Sequence, residues 1–356
     1  MRTRTRTACA FRRLLVSGWD AHDALVFREG LAELGESHGL PTLASYLAVE
    51  ESIIRWLSGE YREARRVALQ IRAKGLEQGA NPDLRSEYFR AGDIASAYLI
   101  FLGEWGEALK EFAAAMAEAQ KNANEHAMLW LRVHQAWLHL NALDFRGALA
   151  ICRPALALLR DPAFRTAPGQ LRRALILSGS ASAALGDHAR ALEDFSTAAS
   201  EMDRQAVRLD WYWRMPLAAG LTELWLAKGE RVRAQLEAKR LLDISLATAE
   251  RTWQGLAWEA NARVALANGN YERARDCIGR AVSTVRGFEV PLAAWRAHAT
   301  AAHIEKESGN LESARSHRDL SRATILRLAN SFPQEERLRE TFLSAPAVAR
   351  ILGGDS

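Results

Sequence analysis

One six-residue phrase constrains this chain more than any other feature. It opens on a turn residue, continues with a polar and often an aromatic residue, and closes on Ala. It reads Gly59-Glu-Tyr-Arg-Glu-Ala64, Gly103-Glu-Trp-Gly-Glu-Ala108, Leu143-Asp-Phe-Arg-Gly-Ala148 and Gly186-Asp-His-Ala-Arg-Ala191. It returns as Gly229-Glu-Arg-Val-Arg-Ala234, Gly269-Asn-Tyr-Glu-Arg-Ala274 and Gly309-Asn-Leu-Glu-Ser-Ala314. The steps between turn residues are 44, 40, 43, 43, 40 and 40. Seven residues before each turn residue stands a small side chain: Ser52, Ser96, Ala136, Gly179, Thr222, Ala262 and Ala302. Two antiparallel helices joined by a tight turn approach closely only where their contact points lack bulk. The phrase and the small position in step with it therefore predict a stack of helical hairpins. Gly ends the first helix of each because it reaches left-handed backbone angles cheaply. The aromatic residues two places on (Tyr61, Trp105, Phe145, Tyr271) are expected to cover the turn.

Composition agrees. Ala, Leu, Arg and Glu dominate the 356 residues, and all are strong helix formers. Val and Ile are sparse by comparison, which disfavours strands. A chain of this length would usually form two or three domains, but a repeat array grows by adding units. The net charge of +4 comes with acids and bases interleaved, as in Glu60, Arg62, Glu63, Arg65 and Arg66, which reads as solvated helix faces. Nucleic-acid binding, which needs basic residues clustered on one face, is disfavoured. The concentrated basic stretch Arg2, Arg4, Arg6, Arg12 and Arg13 reads as a solvated start. The three cysteines (Cys9, Cys152, Cys277) are far apart and suit a reducing cytoplasm. No apolar run approaches the ~20 residues a membrane span needs.

The turn phrase and the paired small positions resemble the tetratricopeptide repeat family. The resemblance covers residues 41 to 328 and implies an all-α, right-handed superhelical α-solenoid of about seven hairpins. The period departs from the family's usual ~34 residues, so the surplus must lengthen the helices, the inter-repeat turns, or both. Such long units look like the repeat region of the bacterial maltose-regulon activator and related LuxR-type and ATPase-linked regulators. Residues 1–40 read as a degenerate unit, with a helix from Ala21 to Glu36. Residues 329–356 read as a capping helix, around Gln334 to Leu343, and a tail. Pro82, Pro162, Pro168 and Pro291 fall between hairpins. Pro154 is expected to kink or shorten its helix. Pro216 is expected in the first turn of a shorter helix, leaving Trp211 and Trp213 before it. Pro333 and Pro346 each suit the first turn of a short helix.

No P-loop, dinucleotide fingerprint or nucleophile elbow is present, and no cofactor is expected. The pairs His134/His139 and His298/His303 are spaced five apart, so their side chains diverge by roughly 140° on a helix and make poor metal pairs. Function is then expected to be binding. In the family the first helix of each hairpin lines the concave groove, and carrying those positions over gives Tyr46, Ile53 and Trp56, then Arg90 and Asp93, then Trp130 and Trp137. Later units give Arg173, Glu223, Glu259, Arg263 and Arg296. The tryptophans either line the groove or pack between repeats. An aromatic groove edged with Arg suits a protein or peptide partner, or a small effector. The resemblance implies a non-catalytic cytoplasmic scaffold or sensor in bacterial signalling or transcriptional regulation. A basic superhelix holding nucleic acid and an enzyme with an unrecognised site are the alternatives.

Overall fold

A computed structural model of the chain describes residues 6, 9–10, 13, 21–37, 41–77, 82–161, 168–207 and 209–353. Within its helices the side chains of residues 21–22, 32–37, 41–48, 74–77 and 82–89 lie outside the description. So do most of the basic N-terminal stretch and Pro162.

Helix α1 (Ala21–Ser37) precedes seven hairpins. These are α2 (Pro41–Leu57) with α3 (Tyr61–Glu77), α4 (Pro82–Leu102) with α5 (Trp105–Lys121), and α6 (Glu125–Asn141) with α7 (Phe145–Leu159). There follow α8 (Pro168–Ala184) with α9 (His188–Arg204), α10 (Asp210–Ala227) with α11 (Arg231–Leu246), and α12 (Arg251–Ala267) with α13 (Tyr271–Val285). The last hairpin is α14 (Pro291–Glu307) with α15 (Leu311–Asn330), and α16 (Arg337–Ser344) and α17 (Pro346–Leu352) close the chain. No strand occurs among the described residues.

All seven turns are built alike. The turn residue has φ between +59° and +84°. The next residue's N–H donates to the carbonyl five residues back at 2.9–3.0 Å, as in Glu60 to Arg55 and Asn310 to Glu305. This is the Schellman closure, which satisfies carbonyls the helix end leaves open. The polar residue of the phrase then starts the second helix: Asp144, Asp187 and Asn270 accept from the N–H three residues on at 3.0–3.1 Å. Leu143 takes the left-handed angle (φ +59°) without being Gly.

The two small positions meet as the sequence requires. Both sets are buried in all seven hairpins, from Ser52 and Ala64 to Ala302 and Ala314. In the first hairpin Ser52 Oγ donates to the Ala64 carbonyl at 2.8 Å. In the fourth, a Cβ on Gly179 would stand 2.8 Å from the Phe195 ring and 3.2 Å from the Ala191 carbonyl. Helices of 15 to 21 residues absorb most of the long period.

Successive first helices pack on one another and line the inside, while second helices pack on first helices. The array winds far enough for its two ends to meet. Tyr61 Oη lies 2.7 Å from Thr252 Oγ1, and Arg62 forms a two-pronged ion pair with Glu289. The Trp105 N–H donates to Ser331 Oγ at 3.1 Å, and its ring packs 5.6 Å from Phe332 and 5.1 Å from Phe342. Tyr61 and Trp105 are thus buried between distant hairpins instead of covering their own turns, while Tyr271 of the sixth hairpin is half exposed.

Three proline expectations change. Pro216 is the seventh residue of an unbroken α10, so Trp211 and Trp213 belong to the helix. The missing N–H leaves the Tyr212 carbonyl unpaired along the helix, and the burial of Tyr212, Trp213, Met215 and Leu217 on either side holds the helix through it. Pro154 sits inside a continuous 15-residue α7. Pro333 lies in a turn closed by the Glu336 N–H on its carbonyl at 3.2 Å. Glu336 then caps α16, which starts at Arg337 instead of Gln334. Pro346 does open α17.

Candidate functional site

The inner face holds a cavity of about 360 Å³ built by the first helices of five consecutive hairpins. Helix α2 gives Ile53 and Trp56, and α4 gives Arg90, Ile94, Ala97, Tyr98 and Phe101. Helix α6 gives Trp130, His134 and Trp137, and α8 gives Pro168, Gly169, Gln170 and Arg173. Trp213 of α10 completes it, with Val207 and Leu209 from the segment just before that helix.

The walls are an aromatic seam. Phe101 stands edge-on to Trp137 at 5.1 Å, and Trp137 lies 4.8 Å from Trp213. Trp56 lies 5.6 Å from Phe101 and 4.4 Å from Tyr212, whose hydroxyl accepts from Trp253 Nε1 at 2.7 Å. Trp56 and Trp137 are 7% and 5% exposed, so they pack between repeats and wall the cavity at once. Trp130 is the half-buried one, with a face toward the space.

Most polar groups here are already committed. Arg90 donates to the fully buried Glu50 at 2.7 Å. His134 Nδ1 lies 2.8 Å from Asp93 Oδ1; the carboxylate accepts, so this nitrogen carries the hydrogen. Tyr98 donates to Ser52 Oγ at 3.0 Å, and burial pushes its hydroxyl well up. Arg173 differs. Its guanidinium stacks 5.2 Å from the Trp213 ring, and among the described residues no carboxylate lies within ion-pair distance. Burial pushes it down to about 10, against the pull of Asp93 and Asp210. Its neighbour Arg172 pairs instead with Asp210 and two backbone carbonyls.

Of the twelve groove residues carried over by resemblance, Ile53, Trp56, Arg90, Trp130, Trp137 and Arg173 line this one cavity. Asp93 sits behind the wall on His134. Arg263 and Arg296 lie apart, in a second network: Arg263 bridges Glu223 and Glu259, Thr300 donates to Glu259 at 2.6 Å, and Arg296 covers the Trp295 ring at 4.4 Å. The Tyr46 side chain falls outside the described residues. The histidine pairs separate: His139 contacts Asp144, and His298 contacts His317 while His303 is exposed. The cavity also includes Tyr98, Phe101, His134, Gln170 and Trp213, absent from the carried-over set. The helical period could have found Gln170, one turn before Arg173 on the same face.

No protein-family model matches the chain, and no curated protein matches its sequence. Solved structures do match. A Rap protein complexed with Competence and Sporulation Factor is 15% identical, with a TM-score of 0.62 over 86% of this chain and 81% of that one. NprR in complex with its cognate peptide NprX is 12% identical, with a TM-score of 0.55 over 87% and 88%. The chain has the tetratricopeptide-type solenoid fold. The likeness supports the tetratricopeptide resemblance and does not bear on its finer form, the maltose-activator type of repeat. Among the described residues of this solenoid, no helix is long and apolar enough to cross a membrane.

Proposed function

We propose that the chain is a non-catalytic cytoplasmic scaffold or sensor of bacterial regulation, holding a peptide segment or effector on its concave face. The observation that carries this is the convergence of five first helices on one aromatic cavity. Concave, mostly apolar cavities with a few placed polar groups are where ligands bind. The structurally similar Rap and NprR are seen with Competence and Sporulation Factor and with a cognate peptide, which supports a ligand of this kind. Among the described residues no Ser, Thr or Cys lines the cavity, and its Tyr98 hydroxyl is held by Ser52. That favours binding over group transfer. Residues 41–328 are the binding unit in this reading, with 1–40 and 329–356 flanking it.

The test uses Trp130, because Trp56 and Trp137 belong to the core. Partner captured from native cells by the wild-type chain is compared with that captured by Trp130→Ala and by Ala97→Trp, which fills the space. Both variants are expected to lose at least tenfold in recovery while keeping the wild-type helical spectrum. Undiminished recovery by both would sink the concave-face reading.

A further inference from the structure

Charge is unevenly disposed around the cavity. Its lining holds Arg90, His134 and Arg173 but, among the described residues, no Asp or Glu. Glu50 and Asp93 engage Arg90 and His134 from behind, and both carboxylates are buried outside the lining. Arg173 has no such partner. Asp93 and Asp210 attract it only from beyond ion-pair distance, and Arg90 repels it. Its Nε is sealed off, but its two terminal nitrogens are unbonded and accessible, on a side chain that lines the space. A cation so placed calls for a counter-ion.

Two further donors open the same way. Gln170 is 4% exposed and lines the cavity. Its amide oxygen is sealed, while its amide nitrogen is unbonded and accessible, so that nitrogen looks into the space. Trp130 Nε1 is likewise unbonded and accessible, on a half-buried ring. Gln170 also lies in the first turn of α8, whose Pro168 and Gly169 line the cavity, so the positive end of that helix adds to the field of Arg173. Trp56 Nε1 and Asp93 Oδ2 are sealed in the wall and play no part.

The rest of the surface is apolar and aromatic, and it sets the body of the occupant. At about 360 Å³ the space lies at the small end of ligand pockets, which run from roughly 300 to 1,000 Å³. The first and fifth of the lining helices also meet, Trp56 against Tyr212 at 4.4 Å, which closes one side to an extended chain. The occupant is therefore compact, apolar and singly negative. An ammonium group would find no carboxylate in the lining.

Resting on the concave-face reading above, we infer that this cavity takes a free aromatic or branched carboxylic acid as its carboxylate. The carboxylate accepts from the Arg173 terminal nitrogens and from Gln170 Nε2, and the apolar body lies against Trp130 and Trp213. Arg173 gains its counter-ion, and the charged hydrogen bonds form away from bulk water, where they are strongest.

The experiment is titration calorimetry with a thermal-shift measurement on the purified full chain. 3-Phenylpropionate and 4-methylpentanoate are compared with 3-phenylpropanamide, which lacks the charge, and with L-phenylalanine and phenethylamine, which carry an ammonium. Acetyl-Ala-Ala-Phe presents the same carboxylate at a peptide end. The two acids are expected to bind at least tenfold tighter than the amide, the amino acid or the amine, and to raise the melting temperature. Arg173→Met loses no internal ion pair and is expected to fold and to lose at least tenfold in affinity for the acids. Gln170→Leu is expected to weaken them about threefold, and Ala97→Trp, which fills the space, to abolish their binding. The amide repeats the test of charge without a substitution. Four results would overturn the inference: no binding of either acid at millimolar concentration, an amide or amino acid that binds as well, undiminished binding by folded Arg173→Met or Ala97→Trp, or a tripeptide that binds more tightly than 3-phenylpropionate. If the acids fail while Trp130→Ala still abolishes partner recovery, only this inference falls. Failure of the concave-face reading shows separately, as recovery that survives Trp130→Ala and Ala97→Trp.

Discussion

Glu250 shows how much one side chain carries in this fold. It is fully buried, and its two carboxylate oxygens accept from the Thr252 and Trp253 N–H groups, capping α12. Among the described residues no basic side chain lies within ion-pair distance. Burial therefore outweighs the hydrogen bonds and pushes the carboxyl up to about 7, against an ordinary 4.5. The folded state then holds this proton more tightly than the unfolded one, so the group's contribution falls as pH rises from about 4.5 to 7 and stays low above that. The loss approaches roughly 3 kcal/mol at ~1.4 kcal/mol per pH unit. Urea titrations of wild type and Glu250→Gln across this range are expected to converge at low pH, with the variant losing less stability as pH rises. At this scale the sequence is only partly readable. Family carry-over reaches Arg173, but nothing local in its surroundings says that Arg172, one residue before it, takes Asp210 and leaves it without a carboxylate. That division depends on where α8 and α10 settle against each other.

At the scale of elements the reading is closer. The turn phrase locates all seven Schellman closures, and the small positions locate the closest helix approach, because both are short-range requirements of a hairpin. Prolines are harder, since tertiary packing can carry a helix through one. Pro154 is exposed on α7, where its ring removes the bond that would reach the Ala150 carbonyl. No packing is lost by replacing it. Pro154→Ala is expected to raise stability by ~1–3 kcal/mol, seen as a higher urea midpoint at unchanged slope. A lower midpoint would mean that the Pro154 ring makes favourable contacts on the surface of α7. Pro216 is a different case, because buried aromatic neighbours on both sides tie it to the cavity wall.

For the molecule as a whole, the decisive event is the meeting of the two ends. It was not legible, because its partners are separated by 191 residues at Tyr61–Thr252 and 226 at Trp105–Ser331, with no pattern linking them. Read locally, Tyr61 and Trp105 look like turn covers. The exposed pair Arg62–Glu289 adds little to stability, so the closure rests on close backbone approach and on the Trp105 ring. Gly106 is the sharpest point: a Cβ there would stand 2.1 Å from the Ser331 carbonyl. Gly106→Ala is expected to destabilise the chain by ~2 kcal/mol or more, and to raise hydrogen exchange in both α5 and α15–α16. Faster exchange confined to α5 would mean the ends do not support each other.

This closure also bears on how such a chain could have changed through time. Open arrays of like units can lengthen or shorten by duplication and deletion, since each unit answers only to its neighbours. Here a unit inserted between Trp105 and Ser331 would carry the last hairpin past its seat and uncover Trp105, Phe332 and Phe342 together. Copy number in the middle of the chain is therefore fixed by a contact at its ends, and variation is confined to the identities of residues within units already present.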